Sequence, residues 1–219
     1  LIISTNYKKG FMRCPTHLSI GQELVPSILY LLNSNNDLAV STHRSHAHYL
    51  GKGGSIEKFF DELHGLSSGC SGGKGGSMHL IDLEVGFMGS TAIVGNTIPV
   101  GVGLAESQKL SKNSNLTYIF LGDGATEEGV FYESLSYACV REIPCIFVIE
   151  NNQYSVYTDL APRQGNLSIK DKFKGFDIKY VSNYDNDFEN LLLDWELTID
   201  YVRSYSKPAI LEVHTFREL

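Results

Sequence analysis

Two short polar motifs follow consecutive apolar segments in this 219-residue sequence. Gly122-Asp123-Gly124 comes directly after the apolar run from Tyr118 to Leu121. Asn151-Asn152 comes after the next such run, from Cys145 to Ile149. Carboxylate and amide oxygens suit Mg²⁺ or Ca²⁺ better than Zn²⁺, which prefers His and Cys, and glycines beside the carboxylate let a ligand approach the backbone closely. If the fold brings the two motifs together, they predict a site for a metal-bound diphosphate.

The segment between the motifs determines whether they meet. Thr126 to Arg141 has helical spacing, and Pro144 separates it from the second apolar run. A strand–helix–strand unit of this length makes its strands parallel, so both motifs lie at one edge of a sheet, where ligands bind in such folds. A helix beginning near Thr126 would also direct its free N–H groups toward that edge. One face of the predicted helix carries Phe131, Leu135, Ala138 and Cys139.

The rest of the chain repeats the alternation of strands and helices. We therefore predict a doubly wound α/β fold with a mostly parallel sheet. Residues 1–219 form a single diphosphate-binding domain in this interpretation, with residues 1–36 as an N-terminal helical arm and Ser67 to Ser77 as a loop. The predicted helices are Ser19–Asn33, Ser55–Leu66, Pro99–Leu110 and Asp187–Ser206. The first has a capping box at Ser19 and Gln22, and the second has Ser55 as N-cap. The third has small residues on one face. The remaining predicted strands are Leu38–Thr42, Asp177–Ser182 and Ala209–Val213.

Composition excludes several classes of function. Hydrophobic residues make up 42% of the chain and charged residues 20%, which is ordinary for a globular domain. The net charge of −7 without a basic run predicts no nucleic-acid partner and no anionic membrane partner. No apolar run approaches a membrane span, and no secretory signal is visible. The four cysteines form no CxxC pair, so we expect reduced thiols and a cytoplasmic location.

Simpler interpretations exist for each motif. Gly-Asp-Gly and Asn-Asn are also common turn and loop sequences. Lys74 does not complete a P-loop, because Gly75 follows it where Ser or Thr is required. The His43, His46 and His48 cluster resembles a metal site, although a loop with one or two histidines facing the site is the favoured interpretation.

The surroundings of the two motifs carry a family resemblance. Gly-Asp-Gly, 26 further residues and Asn-Asn resemble the thiamin diphosphate motif. The whole stretch GDGATEEGVFYESLSYACVREIPCIFVIENNQYSVYT is similar to the α subunit of the E1 component of 2-oxo acid dehydrogenase complexes, which include the pyruvate, branched-chain and acetoin dehydrogenases. The likeness extends through THLSIGQE (Thr16–Glu23), STHRSHAHYLGKG (Ser41–Gly53), GGKGGSMHL (Gly72–Leu80) and STAIVGNTIPVGVGLA (Ser90–Ala105).

The resemblance implies a thiamin diphosphate-binding fold and a set of roles for residues. Mg²⁺ would be held by the side chains of Asp123 and Asn152 and by the backbone carbonyl of Tyr154. The remaining cofactor contacts would come from the backbone of Gly124 and Ala125, the guanidinium of Arg44, the neighbouring His43, where the family often has Tyr, and the backbone of Ala92 and Val94. His79 is the first candidate for handling protons, and His46 is the second.

The activity implied by the resemblance is oxidative decarboxylation of a small 2-oxo acid, with acyl transfer to the lipoyl group of an acyltransferase. A β-like subunit would complete the site, in an α2β2 assembly. Past the strand matching Ala209 to Thr215, the family continues into a loop with another active-site histidine. We therefore expect this sequence to be a fragment, a sequence from which flanking parts have been lost, or a reduced relative. Two alternatives stay open: a transketolase-like transferase or lyase, and a scaffold subunit that binds the cofactor without catalysis.

Overall fold

A six-stranded parallel sheet forms the centre of the protein. A computed structural model describes residues 2–12, 14–165 and 168–217 of the chain. The strands follow the spatial order β2-β1-β3-β4-β8-β7, and every neighbouring pair is parallel. Their bounds are β1 Leu38–Ser41, β2 Phe87–Ser90, β3 Thr117–Gly122, β4 Cys145–Asn151, β7 Lys179–Asn183 and β8 Ala209–His214. A separate antiparallel hairpin pairs β5 (Tyr154–Ser155) with β6 (Thr158–Asp159).

Helices cover both faces of the sheet. The bounds are α1 Ile2–Lys8, α2 Leu24–Leu32, α3 His46–Gly51, α4 Ile56–Leu63, α5 Thr97–Leu110, α6 Gly129–Val140, α7 Leu160–Gln164 and α8 Phe188–Tyr205. Successive residues of the central strand β3 belong alternately to two buried hydrophobic clusters. Tyr118 and Phe120 of β3 belong to one cluster, which contains Trp195 of α8, whereas Ile119 and Leu121 belong to the other. The predicted doubly wound α/β fold is confirmed.

Several predicted boundaries are wrong at helix starts. The helix predicted from Ser19 begins at Leu24, with Glu23 at its N-cap, so the capping box at Ser19 and Gln22 does not form. Gln22 instead donates from its side-chain amide to the Thr215 hydroxyl at 3.0 Å. Ser55 is the N-cap of α4, as predicted, and accepts a hydrogen bond from the Lys58 backbone.

The helix predicted over Thr126–Arg141 is also interrupted. Residues Asp123–Glu127 form a 3₁₀ turn, Glu128 is extended with φ −73° and ψ 135°, and α6 starts only at Gly129. The helix start is therefore separated from the strand end by a full turn of 3₁₀ structure. The backbone that faces the sheet edge next to Asp123 belongs to this turn and not to the first turn of α6.

The small-residue face of α5 packs within the chain at one position. A Cβ at Gly101 would lie 2.6 Å from Ile119 Cγ1 and 2.8 Å from Val40 Cγ2, so glycine allows the helix to approach β3 and β1 closely. Gly103 meets no atom within 4 Å on its side of the helix. In the described part of the chain, no helix is both long and apolar enough to cross a membrane.

Candidate functional site

The two motifs meet at the carboxyl edge of the sheet. Strands β3 and β4 are adjacent and parallel, and Gly122 pairs with Glu150. Asp123 therefore follows β3 beside the point where β4 ends at Asn151 and Asn152 follows. Both Asp123 and Asn152 line one cavity of about 660 Å³. The adjacency predicted from the strand–helix–strand unit is confirmed.

Asp123 is a buried carboxylate with a cationic partner. Its side chain is 1% exposed, and Oδ2 accepts a hydrogen bond from the Arg163 guanidinium of α7 at 2.5 Å. A second nitrogen of Arg163 lies 2.5 Å from a Glu127 carboxylate oxygen. Burial raises the pKa of Asp123, and the hydrogen bond and charge of Arg163 oppose that rise. A buried carboxylate without a cation would be costly, so Arg163 supplies the charge that keeps an anion at this position.

Asn152 lies on the turn between β4 and β5, and Tyr154 is the first residue of β5. The Asn152 carbonyl oxygen Oδ1 accepts a hydrogen bond from the Tyr154 backbone at 3.1 Å. Gln153, between them, adopts φ +66°, which non-glycine residues use rarely. Asn152 and Tyr154 both line the cavity.

Basic side chains line another part of the same cavity. Arg44 donates to the Leu18 carbonyl, and Arg217 donates to the Val156 carbonyl at 2.7 Å. Among the described residues, neither guanidinium forms a salt bridge with a carboxylate. Burial and the charge of Arg217 lower the pKa of Arg44, and the carboxylate of Glu150, which lines the same cavity, opposes that change. Two guanidinium groups that lack a direct ion-pair partner in the described ranges can bind an anionic ligand.

Two histidines stand beside these arginines. The rings of His17 and His43 meet edge to face at 4.7 Å, and both residues line the cavity. Burial, the neighbouring His17 and the cation Arg44 lower the pKa of His43 to about 4, so this ring is neutral near pH 7. Its Nδ1 atom is buried and has no hydrogen-bond partner among the described residues. Buried polar atoms without a partner are uncommon in folded proteins.

The backbone next to Asp123 is closely packed. A Cβ at Gly124 would lie 2.9 Å from Ser155 Oγ and 3.1 Å from Ser155 Cβ, so the Ser155 side chain would have to shift to admit one. Gly124 and Ala125 line the cavity with Asp123. Anionic oxygens would thus meet a bare backbone flanked by Arg44, and a hard cation would meet the oxygens of Asp123 and Asn152. This donor set fits Mg²⁺ and a diphosphate.

Three of the predicted site residues lie away from this cavity. Ala92 is exposed in the turn after β2 and does not line it, although its neighbour Val94 does. His79 is exposed and does not line it. His46 is buried, and its Nε2 lies 2.7 Å from Ser77 Oγ. The remaining eight predicted residues line the cavity: His43, Arg44, Val94, Asp123, Gly124, Ala125, Asn152 and Tyr154.

The three clustered histidines have different surroundings. His48 is buried between Ser41 Oγ, 2.8 Å from its Nδ1, and Glu150, whose carboxylate is 3.2 Å from its Nε2. His46 contacts Ser77, and His43 faces the cavity. Within the described ranges, no group of three or more His, Cys, Asp or Glu side chains could hold a metal ion. Of the predicted Mg²⁺ ligands, only Asp123 is a His, Cys, Asp or Glu residue. The absence of such a group therefore does not test the predicted Mg²⁺ site.

Sequence reasoning missed several residues at or near the site. Arg163 and Arg217 lie in stretches without helical or strand periodicity, so no sequence pattern linked them to Asp123 or Arg44. Glu150 directly precedes Asn151 and could have been noticed as a third polar residue at the end of β4. His17 lies in THLSIGQE, which carried the resemblance but no assigned role.

Glu62 is another missed residue, and it organises the glycine-rich loop. Its carboxylate is fully buried and accepts four backbone N–H hydrogen bonds of 2.7–3.0 Å. A signal was present in the sequence, because a carboxylate in the last turn of a helix opposes the helix dipole and needs compensation. The four donors are Ser71, Gly73, Gly75 and Gly76.

Comparison with known proteins places the chain in a family. Residues 2–218 match the family described as "Dehydrogenase E1 component", and the chain belongs to that family. It is 39% identical over 201 residues to the pyruvate dehydrogenase E1 component subunit alpha of Rickettsia bellii (strain RML369-C), an alignment covering 92% of this chain and 62% of the relative. The corresponding subunit of Rhizobium meliloti (strain 1021) is 33% identical over 211 residues, covering 96% of this chain and 61% of the relative. The chain thus spans somewhat under two thirds of these relatives.

A solved structure supports the fold. An X-ray structure described as that of a thiamin diphosphate-dependent enzyme from Mycobacterium smegmatis superposes with a TM-score of 0.62. It covers 94% of this chain and 35% of the other, at 14% sequence identity. Similarity at that identity concerns the arrangement of helices and strands only. It agrees with the α/β fold described above.

Proposed function

We propose that this chain is the diphosphate-binding part of an E1 α-type subunit. In this role it binds thiamin diphosphate and Mg²⁺ and acts, with a β-like subunit, in the oxidative decarboxylation of a small 2-oxo acid. The acyl group passes to a lipoyl group on an acyltransferase. The observation that carries the proposal is the placement of Asp123 and Asn152 at the ends of adjacent parallel strands, on a cavity that also contains Arg44. Membership of the E1 family favours this function over the transketolase-like alternative.

Each residue has a task in that proposal. Oxygens of Asp123, Asn152 and the Tyr154 backbone hold Mg²⁺, which prefers such ligands and leaves the rest of its shell to water and phosphate. The backbone N–H groups of Gly124 and Ala125 meet phosphate oxygens. When bound, thiamin diphosphate supplies the electron sink for decarboxylation. The chain itself contributes binding, orientation and the electrostatics of the cavity.

Arg44 and His43 have different roles in the proposed site: Arg44 supplies positive charge, and His43 supplies a hydrogen bond. Arg44 offers a planar guanidinium that pairs with a phosphate oxygen. His43 has a pKa lowered to about 4 by burial, His17 and Arg44, so it acts as a neutral hydrogen-bond partner near pH 7. His79 and His46 remain predicted proton-handling residues. The exposed position of His79 suits contact with a partner subunit more than contact with the cavity of this chain.

Calorimetric titration tests the proposal. Thiamin diphosphate is titrated into the chain with Mg²⁺ and with EDTA, and then into Asp123→Ala. We expect binding that requires Mg²⁺ and is lost in Asp123→Ala. Asp185→Ala is the matched control, because Asp185 is exposed and does not line the cavity, and it should bind normally. Absence of binding in the wild type, with the β-like subunit present, would refute the cofactor assignment.

A second measurement addresses catalysis. The chain combined with its β-like subunit is assayed for release of CO₂ from 2-oxo acids of increasing size. Release that depends on both chains supports the enzymatic role. Cofactor binding without CO₂ release would favour the scaffold role instead.

A further inference from the structure

A buried acidic residue lies behind the metal-binding edge and has no part in the site described so far. Glu212 belongs to β8, the neighbour of β4, and its side chain is 3% exposed. Its Oε1 accepts a hydrogen bond from Asn151 Nδ2 at 2.7 Å. Its Oε2 accepts from the Tyr180 hydroxyl and from Ser182 Oγ, the latter at 3.2 Å. His214 Nε2 lies 3.3 Å from Oε1.

The contact with Glu212 fixes the orientation of the Asn151 amide. An ionised carboxylate only accepts hydrogen bonds, so the Asn151 NH₂ group must face Glu212. The carbonyl oxygen Oδ1 then faces the other way and accepts from the Gln153 backbone at 3.0 Å. The backbone carbonyl of Asn151 accepts from Thr215 at 3.0 Å. Asn151 is therefore held on both sides, and its side chain is buried.

That anchored amide shapes the turn which carries the predicted metal ligands. Gln153, whose N–H binds Asn151 Oδ1, has the uncommon φ of +66°. Backbone strain of this kind persists only where the surroundings enforce it. The residues on either side, Asn152 and Tyr154, both line the cavity. The hydrogen bond from the Gln153 N–H to Asn151 Oδ1 thus connects the buried pair β4 and β8 to the turn at the edge of the cavity.

We propose that Glu212 is a positioning residue for the metal site. It orients Asn151, and Asn151 holds the turn that presents the Asn152 side chain and the Tyr154 carbonyl. This inference rests on the proposed function, since it assigns those two groups to Mg²⁺. Loss of partners that orient metal ligands typically weakens metal affinity by about 10–100-fold.

A purely structural role for Glu212 makes a different prediction. Glu212 also joins β8 to β7 through Tyr180 and Ser182, so its removal should lower stability in any case. Only the positioning role predicts that affinity depends on the contact with Asn151 in particular. Tyr180→Phe is the matched control, because it removes a different hydrogen bond from the same carboxylate.

The experiment is a swap of donor and acceptor. The full chain is titrated with Mn²⁺ alone and then with thiamin diphosphate in the presence of Mn²⁺, for the wild type, Glu212→Gln, Asn151→Asp, the double variant Glu212→Gln/Asn151→Asp and Tyr180→Phe. In the double variant, the amide at position 212 donates to the carboxylate at position 151, and the net charge is unchanged. That carboxylate still accepts from Gln153.

We expect Glu212→Gln to weaken Mn²⁺-dependent binding about tenfold or more, as for other residues that orient metal ligands. The double variant should recover most of that loss, whereas Tyr180→Phe should lower the unfolding temperature and leave affinity near the wild-type value. Equal affinity in Glu212→Gln and the wild type would overturn the positioning role alone. A wild type that binds neither Mn²⁺ nor the cofactor would overturn the proposed function with it.

Hydrogen exchange gives a readout that needs no ligand. The backbone amides of Gln153 and Tyr154 should exchange faster in Glu212→Gln than in the wild type, and the double variant should restore protection. Tyr180→Phe should leave these two amides protected. Unchanged exchange in a folded Glu212→Gln protein would show that the turn does not depend on Glu212.

Discussion

Two backbone segments that contain glycines differ in whether an anion of the chain itself occupies them. In the loop around Gly69 to Gly76, the buried carboxylate of Glu62 accepts four backbone hydrogen bonds. At the end of β3, Gly124 and Ala125 instead face a cavity lined by Arg44 and Arg217. The loop has an anion from its own chain, whereas the strand end is open to one from outside.

Both segments contain glycines, but the loop around Glu62 has a structural role, whereas the end of β3 has the features of a binding site. Glycines in the loop bring its backbone around Glu62, and a Cβ at Gly75 would overlap the His79 carbonyl. Four N–H groups of the loop are therefore hydrogen-bonded to Glu62, and the loop has a structural role. At the strand end, Arg163 is paired with Asp123 and Glu127, whereas Arg44 and Arg217 have no carboxylate ion-pair partner in the described part of the chain.

The largest expected effect comes from removing the internal anion. Glu62→Ala leaves four backbone N–H groups buried without an acceptor. We expect the free energy of unfolding to fall by about 3–5 kcal/mol, as when a buried charged partner is lost. Urea denaturation measures this. Glu57→Ala, an exposed acid on the same helix, should change the midpoint little, and a similar small change for Glu62→Ala would show that the loop does not depend on it.

The next effect concerns the cation already present at the open edge. Arg163→Gln leaves the carboxylate of Asp123 buried without its ion-pair partner, so we expect a loss of about 2–4 kcal/mol in the ligand-free chain. Mg²⁺ should restore part of that loss, since it brings positive charge to the same carboxylate. Thermal unfolding with and without Mg²⁺ measures both changes.

Arg203→Gln is the matched control for that prediction. Arg203 pairs with the buried Asp37 at 3.3 Å, away from the cavity, so its removal should destabilise the chain without rescue by Mg²⁺. Equal rescue of both variants would mean that the metal acts elsewhere. No rescue of Arg163→Gln would argue against a metal at Asp123.

A smaller change in the free energy of unfolding is expected when the pH is lowered, because His46, which contacts Ser77 of the loop, becomes protonated. Burial lowers the pKa of His46 to about 4, below its ordinary value of 6.5, despite the hydrogen bond with Ser77. The unfolded chain therefore binds this proton first, and stability present above pH 6.5 is lost as the pH falls toward 4. Between pH 7 and 5 the loss should be about 2 kcal/mol. His46→Gln should flatten this dependence in urea titrations, and an unchanged slope would assign it to other groups.

The smallest effect is expected at Lys74. This residue is exposed in the loop around Glu62, and the N–H groups near it are already paired. Lys74→Ala should change the free energy of unfolding by no more than about 0.5 kcal/mol, as at other surface positions. Affinity for thiamin diphosphate in calorimetry should also stay the same. A marked loss of affinity would reverse the comparison by showing that the loop contributes to the cofactor site.

Local properties of the sequence predict only part of this arrangement. The strand–helix–strand unit, its parallel pairing and the meeting of Asp123 with Asn152 follow from apolar runs and the length of the crossover, which are local properties. The break at Glu128 was missed, because the helical spacing of residues 126–141 continues through it and only the packed backbone shows the extended conformation.

Long-range contacts explain the other omissions. Arg163 reaches Asp123 across 40 residues, and Glu212 reaches Asn151 across 61 residues. No periodicity joins such positions, so their partnership exists only once the sheet order is known. His79 and Ala92 were placed by resemblance, and neither lines the cavity of this chain.

The order of strands has a consequence for how this site assembles during folding. Thr117 of β3 pairs with Cys145 of β4, 28 residues later, whereas Leu38 of β1 pairs with Thr117 across 79 residues. Closing the shorter loop costs about 1 kcal/mol less entropy than closing the longer one. The two strands that deliver Asp123 and Asn152 therefore close one of the two shortest loops in the sheet, the other joining β7 to β8, where Lys179 pairs with Ala209. We expect these two strand ends to come together early in folding, and the segment after β1 that carries Arg44 to join them later.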